Sequence, residues 1–98
     1  MSRPTPLEIH EVAANLDPEF AKAVSRWEVS VGEDSTGDPA IFVTIVFRDA
    51  AIHAAWPGRA AFRDRLRDLL FDIAPGYYPF IGFSAESEAI NPEQPVRA

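Results

Sequence analysis

The clearest pattern in the chain is an alternation of period two. From Arg26 to Val31, the residues Trp27, Val29 and Val31 fall on one side, and Arg26, Glu28 and Ser30 on the other. That predicts a half-buried strand. A second strand is predicted over Ala40 to Arg48, where β-branched and aromatic residues dominate. The residues between them, Gly32 to Pro39, are turn formers. The two strands should therefore pair as an antiparallel hairpin across a longish loop. A third strand is predicted over Tyr78 to Ser84, with Pro79 near its start suiting an edge position.

The remaining apolar positions follow helical spacing. Leu7, Ile9, Val12, Ala13 and Leu16 predict a short helix from Pro6 to Asn15. Asp17-Pro18-Glu19 looks like a new start, with Asp17 as N-cap and Pro18 at the first helical position. Phe20, Ala23 and Val24 would be its buried side. One broken helix and two short ones fit equally well. Arg48 to Ala55 is ambiguous. The longest helix is predicted from Pro57 to Ala74, with Phe62, Leu66, Leu69, Leu70 and Ile73 on one apolar face. Trp56 precedes it and is placed to staple its start, and Pro75-Gly76 stops it.

The predicted order is α-β-β-α-β. It implies an α+β fold of two layers, with a three-stranded mixed sheet and helices on one face. The long helix returns along the sheet, so the third strand should run parallel to the second. Residues 1–90 form one domain on this reading, and 91–98, with Pro92 and Pro95 and little apolar matter, a flexible C-terminal tail. A chain of 98 residues has room for one modest core.

The second strand carries the most useful clue. Ile41, Val43, Ile45 and Phe47 belong under the helices, so Phe42, Thr44 and Val46 face the other way. With a single helical layer, an apolar patch is left in water, and such patches mark interaction surfaces. The alternative is that the N-terminal segment or the tail covers it. Phe80 or Ile81 joins one side or the other, depending on the register of the third strand. Phe42, Thr44 and Val46 are the expected interface, and a two-fold homodimer is the expected assembly.

Charge narrows the partners. Fifteen carboxylates outnumber nine basic residues, Lys22 being the single lysine, and the net charge is −6. General binding to nucleic acid or to an anionic membrane is disfavoured. There is no cysteine, which excludes disulfides, cysteine-ligated metals and thiol catalysis. The polar N-terminal stretch and the lack of any run of about 18 apolar residues point to a cytoplasmic protein without a membrane span.

Candidate chemistry is sparse. Asp34, Thr36 and Asp38 place oxygens at alternate positions, as in the first half of a calcium loop. Pro39 and Ile45 then stand where that loop needs Gly and Glu. A turn closed by its own side chains explains the same residues. The loop also lacks the Lys and following helix of a phosphate cradle. Arg59, Arg63 and Arg67 form a basic stripe on the long helix beside Asp64, Asp68 and Asp72. It suits an acidic partner or RNA, or is simply a solvated flank. His10 and His53 are the two histidines, and neither lies in a catalytic motif. Glu86, Ser87 and Glu88, with Glu8 and Glu11, could make an acidic surface. No catalytic residue, metal or cofactor is expected.

Asp34-Ser35-Thr36-Gly37-Asp38-Pro39-Ala40, with the later Phe83-Ser84-Ala85-Glu86-Ser87, resembles a group of small bacterial α+β proteins without assigned function. The resemblance covers roughly Trp27 to Glu88 and implies a shared fold without a chemistry. The element order is also similar to the type II K-homology fold of small ribosome-associated proteins. That similarity implies RNA contact, here through Arg59, Arg63 and Arg67, although the Gly-x-x-Gly loop of those domains is not found in this sequence. The leading expectation is a non-enzymatic protein-interaction module or accessory subunit, antitoxin-like in kind. A K-homology-like RNA- or ribosome-associated factor is the alternative. An enzyme using His53 or a carboxylate cluster ranks last.

Overall fold

The computed structural model describes residues 3–87 of the chain. The expected tail, 91–98, and the expected domain limit at 90 lie outside them.

Helix α1 (Pro6–Leu16) begins where its sequence supplies partners for the free N-terminal amides. Thr5 Oγ1 accepts from the Glu8 N–H at 3.2 Å, and the Glu8 carboxylate accepts from the Thr5 N–H at 3.0 Å. Asp17 ends α1 and caps the next helix, α2 (Pro18–Ala21), by accepting from the Phe20 N–H. The N-terminal segment is thus two short helices rather than one.

Strand β1 (Val24–Glu33) starts earlier than the alternation implied. Val24, expected on the helix, already pairs with Phe47, and the register shifts between Val24 and Arg26. Strand β2 (Pro39–Phe47) lies at the centre of the sheet. It pairs antiparallel with β1 and parallel with β3 (Tyr78–Ala85), in the order β1-β2-β3. Between β2 and the long helix, the ambiguous stretch forms short 3₁₀ turns at Asp49–Ala51 and Trp56–Gly58 around helix α3 (Ile52–Ala55). Helix α4 (Arg59–Ile73) carries the chain back so that β3 can run parallel to β2. The α+β fold, with the α-β-β-α-β order and the mixed three-stranded sheet, is as the sequence predicts.

Among the described residues, the helices that pack on the sheet pack on one face. Ile41, Val43, Ile45 and Phe47 of β2 are fully or almost fully buried with Ile9 and Ala13 of α1 and Phe62, Leu66 and Leu70 of α4. Phe20 stacks on Phe62 at 4.2 Å between ring centres and meets Phe47 edge-on at 5.4 Å, a favourable pair of aromatic geometries. The N-terminal helices therefore belong to this layer. Two members of the predicted α4 face depart from it. Leu69 is half-buried, and Ile73 is 46% exposed. Ile73 sits in the last turn, where α4 overruns the core and borders a cleft of about 720 Å³ with Ile9, Val12 and the Ala74–Tyr77 turn.

Candidate interaction surface

The register of the sheet decides which side chains share its outer face. Across the three strands, Ser30, Phe42 and Phe80 lie level, as do Glu28, Thr44 and Gly82, and Arg26, Val46 and Ser84. Phe80 thus joins Phe42 on the outer face, while Ile81 lies level with Val43 and packs against the core.

Phe42 and Phe80 stack at 5.4 Å with an interplanar angle of 12°. Tyr78 meets Phe80 edge-on at 4.8 Å, and Phe71 of α4 meets Tyr78 at 5.8 Å. Four aromatic rings form a continuous rail from the centre of the sheet over the β3 edge. Phe71, Tyr78 and Phe80 are 40%, 50% and 40% exposed. Phe42 and Thr44 are half-buried.

Val46 does not behave as expected. Alternation puts it in water with Phe42 and Thr44, yet it is fully buried. It sits on the central strand between Arg26 and Ser84, whereas Phe42 lies between Ser30 and Phe80. Of the expected interface, Phe42 and Thr44 remain partly accessible. Phe80, one of the two alternatives the β3 register leaves open, belongs with them, and so do Tyr78 and Phe71, which the sequence pattern does not pick out. The signal for Phe80 was the unsettled register of β3. Phe71 gave none, because it lies off the apolar face of α4.

The basic stripe is held by local partners. Arg59 places its guanidinium 4.0 Å from the centre of the Trp56 ring and donates to the Trp56 carbonyl at 2.8 Å. Trp56 in turn packs on Phe47 and Phe83. Arg63 and Arg67 both reach the same Asp64 oxygen, at 3.4 and 2.9 Å. The structure therefore withdraws Arg59 from the stripe and leaves Arg63 and Arg67 side by side.

The hairpin loop closes on itself. Asp34 Oδ1 accepts from the Thr36 hydroxyl at 2.6 Å, the Thr36 N–H at 2.9 Å and the Asp38 N–H at 3.1 Å. Gly37 supplies the left-handed backbone the turn requires, with φ 88°. These bonds, the Thr36 hydroxyl first, hold the Asp34 carboxyl below the usual carboxylate range. Among the described residues, no group of three or more His, Asp or Glu is placed to hold a metal ion.

Of the expected acidic surface, Glu88 lies outside the described residues, and Glu8 and Glu86 have separate partners. Glu8 is engaged at the α1 cap. Glu86 lies past the far end of β3, where it accepts from the Ser25 hydroxyl at 2.7 Å and the Asp49 N–H at 3.1 Å. Asp49 accepts in return from the Ser87 N–H. The Ser25 hydroxyl bond, followed by the Asp49 N–H, lowers the Glu86 pKa. This clamp ties the end of β3 to the start of β1 and the turn after β2. His10 and His53 are both exposed, on α1 and α3.

Compared with family models, curated proteins and solved structures, the chain matches none. No helix among the described residues is long and apolar enough to cross a membrane.

Proposed function

We propose that the protein is a non-enzymatic interaction module of the cytoplasm whose outer sheet face, centred on Phe42 and Thr44, binds a protein surface, a second copy of the chain first of all. The observation that carries this reading is the aromatic rail: Phe42, Phe80 and Tyr78 lie on the side of the sheet opposite the helices, and Phe71 of α4 meets Tyr78 around the β3 edge. Water is a poor environment for this much ring surface, and a fully buried large side chain contributes about 1.5–3 kcal/mol. A two-fold pairing buries the patch against its own image. The rings are already partly covered and association costs entropy, so the pairing is expected in the micromolar range.

Light scattering over a concentration series tests it. The wild type should approach dimer mass at high micromolar concentration. Phe42→Asp should stay folded and monomeric, because it puts a charge on the outer face without touching the helix-facing core. Monomer mass for both proteins at every concentration would refute the self-association.

A further inference from the structure

Both long sides of the sheet end in an edge strand, but the two edges differ. At the β1 edge, the Arg3 guanidinium donates to the Val31 carbonyl at 2.7 Å. Among the described residues, β3 has a strand on one side only. Helix α4 packs over the inner face beside it. Phe71 touches Tyr78 at one end, and Trp56, just ahead of α4, touches Phe83 at the other. Between these contacts Arg63 and Arg67 line a cavity of about 270 Å³ with Tyr78, Pro79, Phe80 and Ile81.

We propose that the β3 edge accepts an extended acidic peptide as a fourth strand, with two of its carboxylates on Arg63 and Arg67. The proposal is independent of self-association through the outer face. Three observations support it. The Tyr78–Ile81 stretch of β3, at the sheet edge among the described residues, can offer main-chain groups other than the Pro79 nitrogen to an extended peptide. The cationic wall supplies the selectivity: two guanidiniums share one Asp64 oxygen and are 42% and 35% exposed, so positive charge is left over beside the edge. The spacing also agrees. Residues four apart on a helix rise about 6 Å, and alternate residues of a strand lie about 6.6 Å apart on the same side. Carboxylates at every second peptide position thus keep step with Arg63 and Arg67.

RNA fits the same pair less well. A polyanion extending beyond the groove meets a chain of net charge −6, and it has no amide ladder to offer β3.

The test is fluorescence polarisation with the full chain and a labelled peptide of seven residues alternating Glu and Val. Three control probes are the Lys-and-Val peptide, the Glu-and-Val peptide N-methylated at alternate residues, and an oligouridylate of equal charge. The Glu-and-Val peptide should bind and the controls should not. Joint Arg63→Glu and Arg67→Glu substitution should weaken binding about tenfold or more, as loss of two exposed ion pairs allows. Joint Arg63→Gln and Arg67→Gln substitution should weaken it less, with circular dichroism verifying the fold of each variant. Binding that survives N-methylation would overturn the strand pairing. Equal binding of the Lys peptide, or no binding by millimolar concentration, would overturn the proposal. Arginine-dependent binding of oligouridylate alone would replace the peptide by RNA.

Discussion

The two faces of the sheet come from the same three strands, yet they are built differently. On the inner face, Ile41, Val43, Ile45 and Phe47 are at most 1% exposed, under two helical elements and a stack of aromatic rings. On the outer face, Val46 and Ala40 are equally buried, but Phe42 and Thr44 are only partly so, and Phe80 and Tyr78 stand 40% and 50% exposed. The inner face contributes stability by packing. The outer face holds its rings in edge and stacked contacts with one another and leaves their remaining surface for something else. With one helical layer among the described residues, the apolar side chains divide between a packed inner face and a partly exposed outer one.

The difference can be broken most strongly from the inside. Leu66 is fully buried in the centre of α4, so Leu66→Ala should cost about 2–5 kcal/mol, seen as a marked fall in the denaturant midpoint. If the midpoint is unchanged, the inner face is not the stabilising one. A smaller effect belongs to Phe80→Ala. It removes one stacked and one edge-on ring contact from the half-exposed rail, and the loss in chemical denaturation should be about 0.5–1.5 kcal/mol plus the partial burial of the ring. A loss as large as that of Leu66→Ala would make the outer face a second core. Thr5→Ala leaves both faces intact and deletes the α1 cap, which should cost about 1 kcal/mol in the same assay.

The smallest expected effect is on pH. Hydrogen bonds hold Asp34 and Glu86 below their ordinary pKa, through the Thr36 and Ser25 hydroxyls first. A carboxyl whose folded pKa is depressed contributes stability above its unfolded value and loses it as pH falls through the folded one. Stability should therefore decline below about pH 4, and Glu86→Gln should flatten part of that decline. An acid-unfolding curve identical to wild type would mean that the clamp with Ser25 and Asp49 adds nothing to the fold.

Much of this architecture is legible in the sequence because period two and period 3.6 report burial directly. The alternation at Trp27, Val29 and Val31 and the helical spacing of Phe62, Leu66 and Leu70 each answer to a single physical demand. The outer face answers to two. Alternation places Phe42, Thr44 and Val46 together, but alternation assigns a face and not an exposure, and Val46 is fully buried where Phe42 is only half-buried. Phe80 became assignable once pairing with β2 fixed the register, a long-range fact that local pattern does not contain. Phe71 and the pairing of Arg63 with Arg67 depend on how α4 is rotated against β3. The capping role of Asp17 was readable because N-caps act within one turn, and Thr5 carries the same local signal with Glu8 three residues on.

On the proposed reading, the rail on the outer face meets a second copy of itself. An isotope-filtered NOE experiment on a mixture of labelled and unlabelled chains at high micromolar concentration tests it most directly. Self-association predicts intermolecular contacts from the Phe42 and Phe80 rings of one copy to outer-face residues of the other, and their loss with Phe42→Asp. Intermolecular contacts confined to α1 or α4, or none at all, would contradict it.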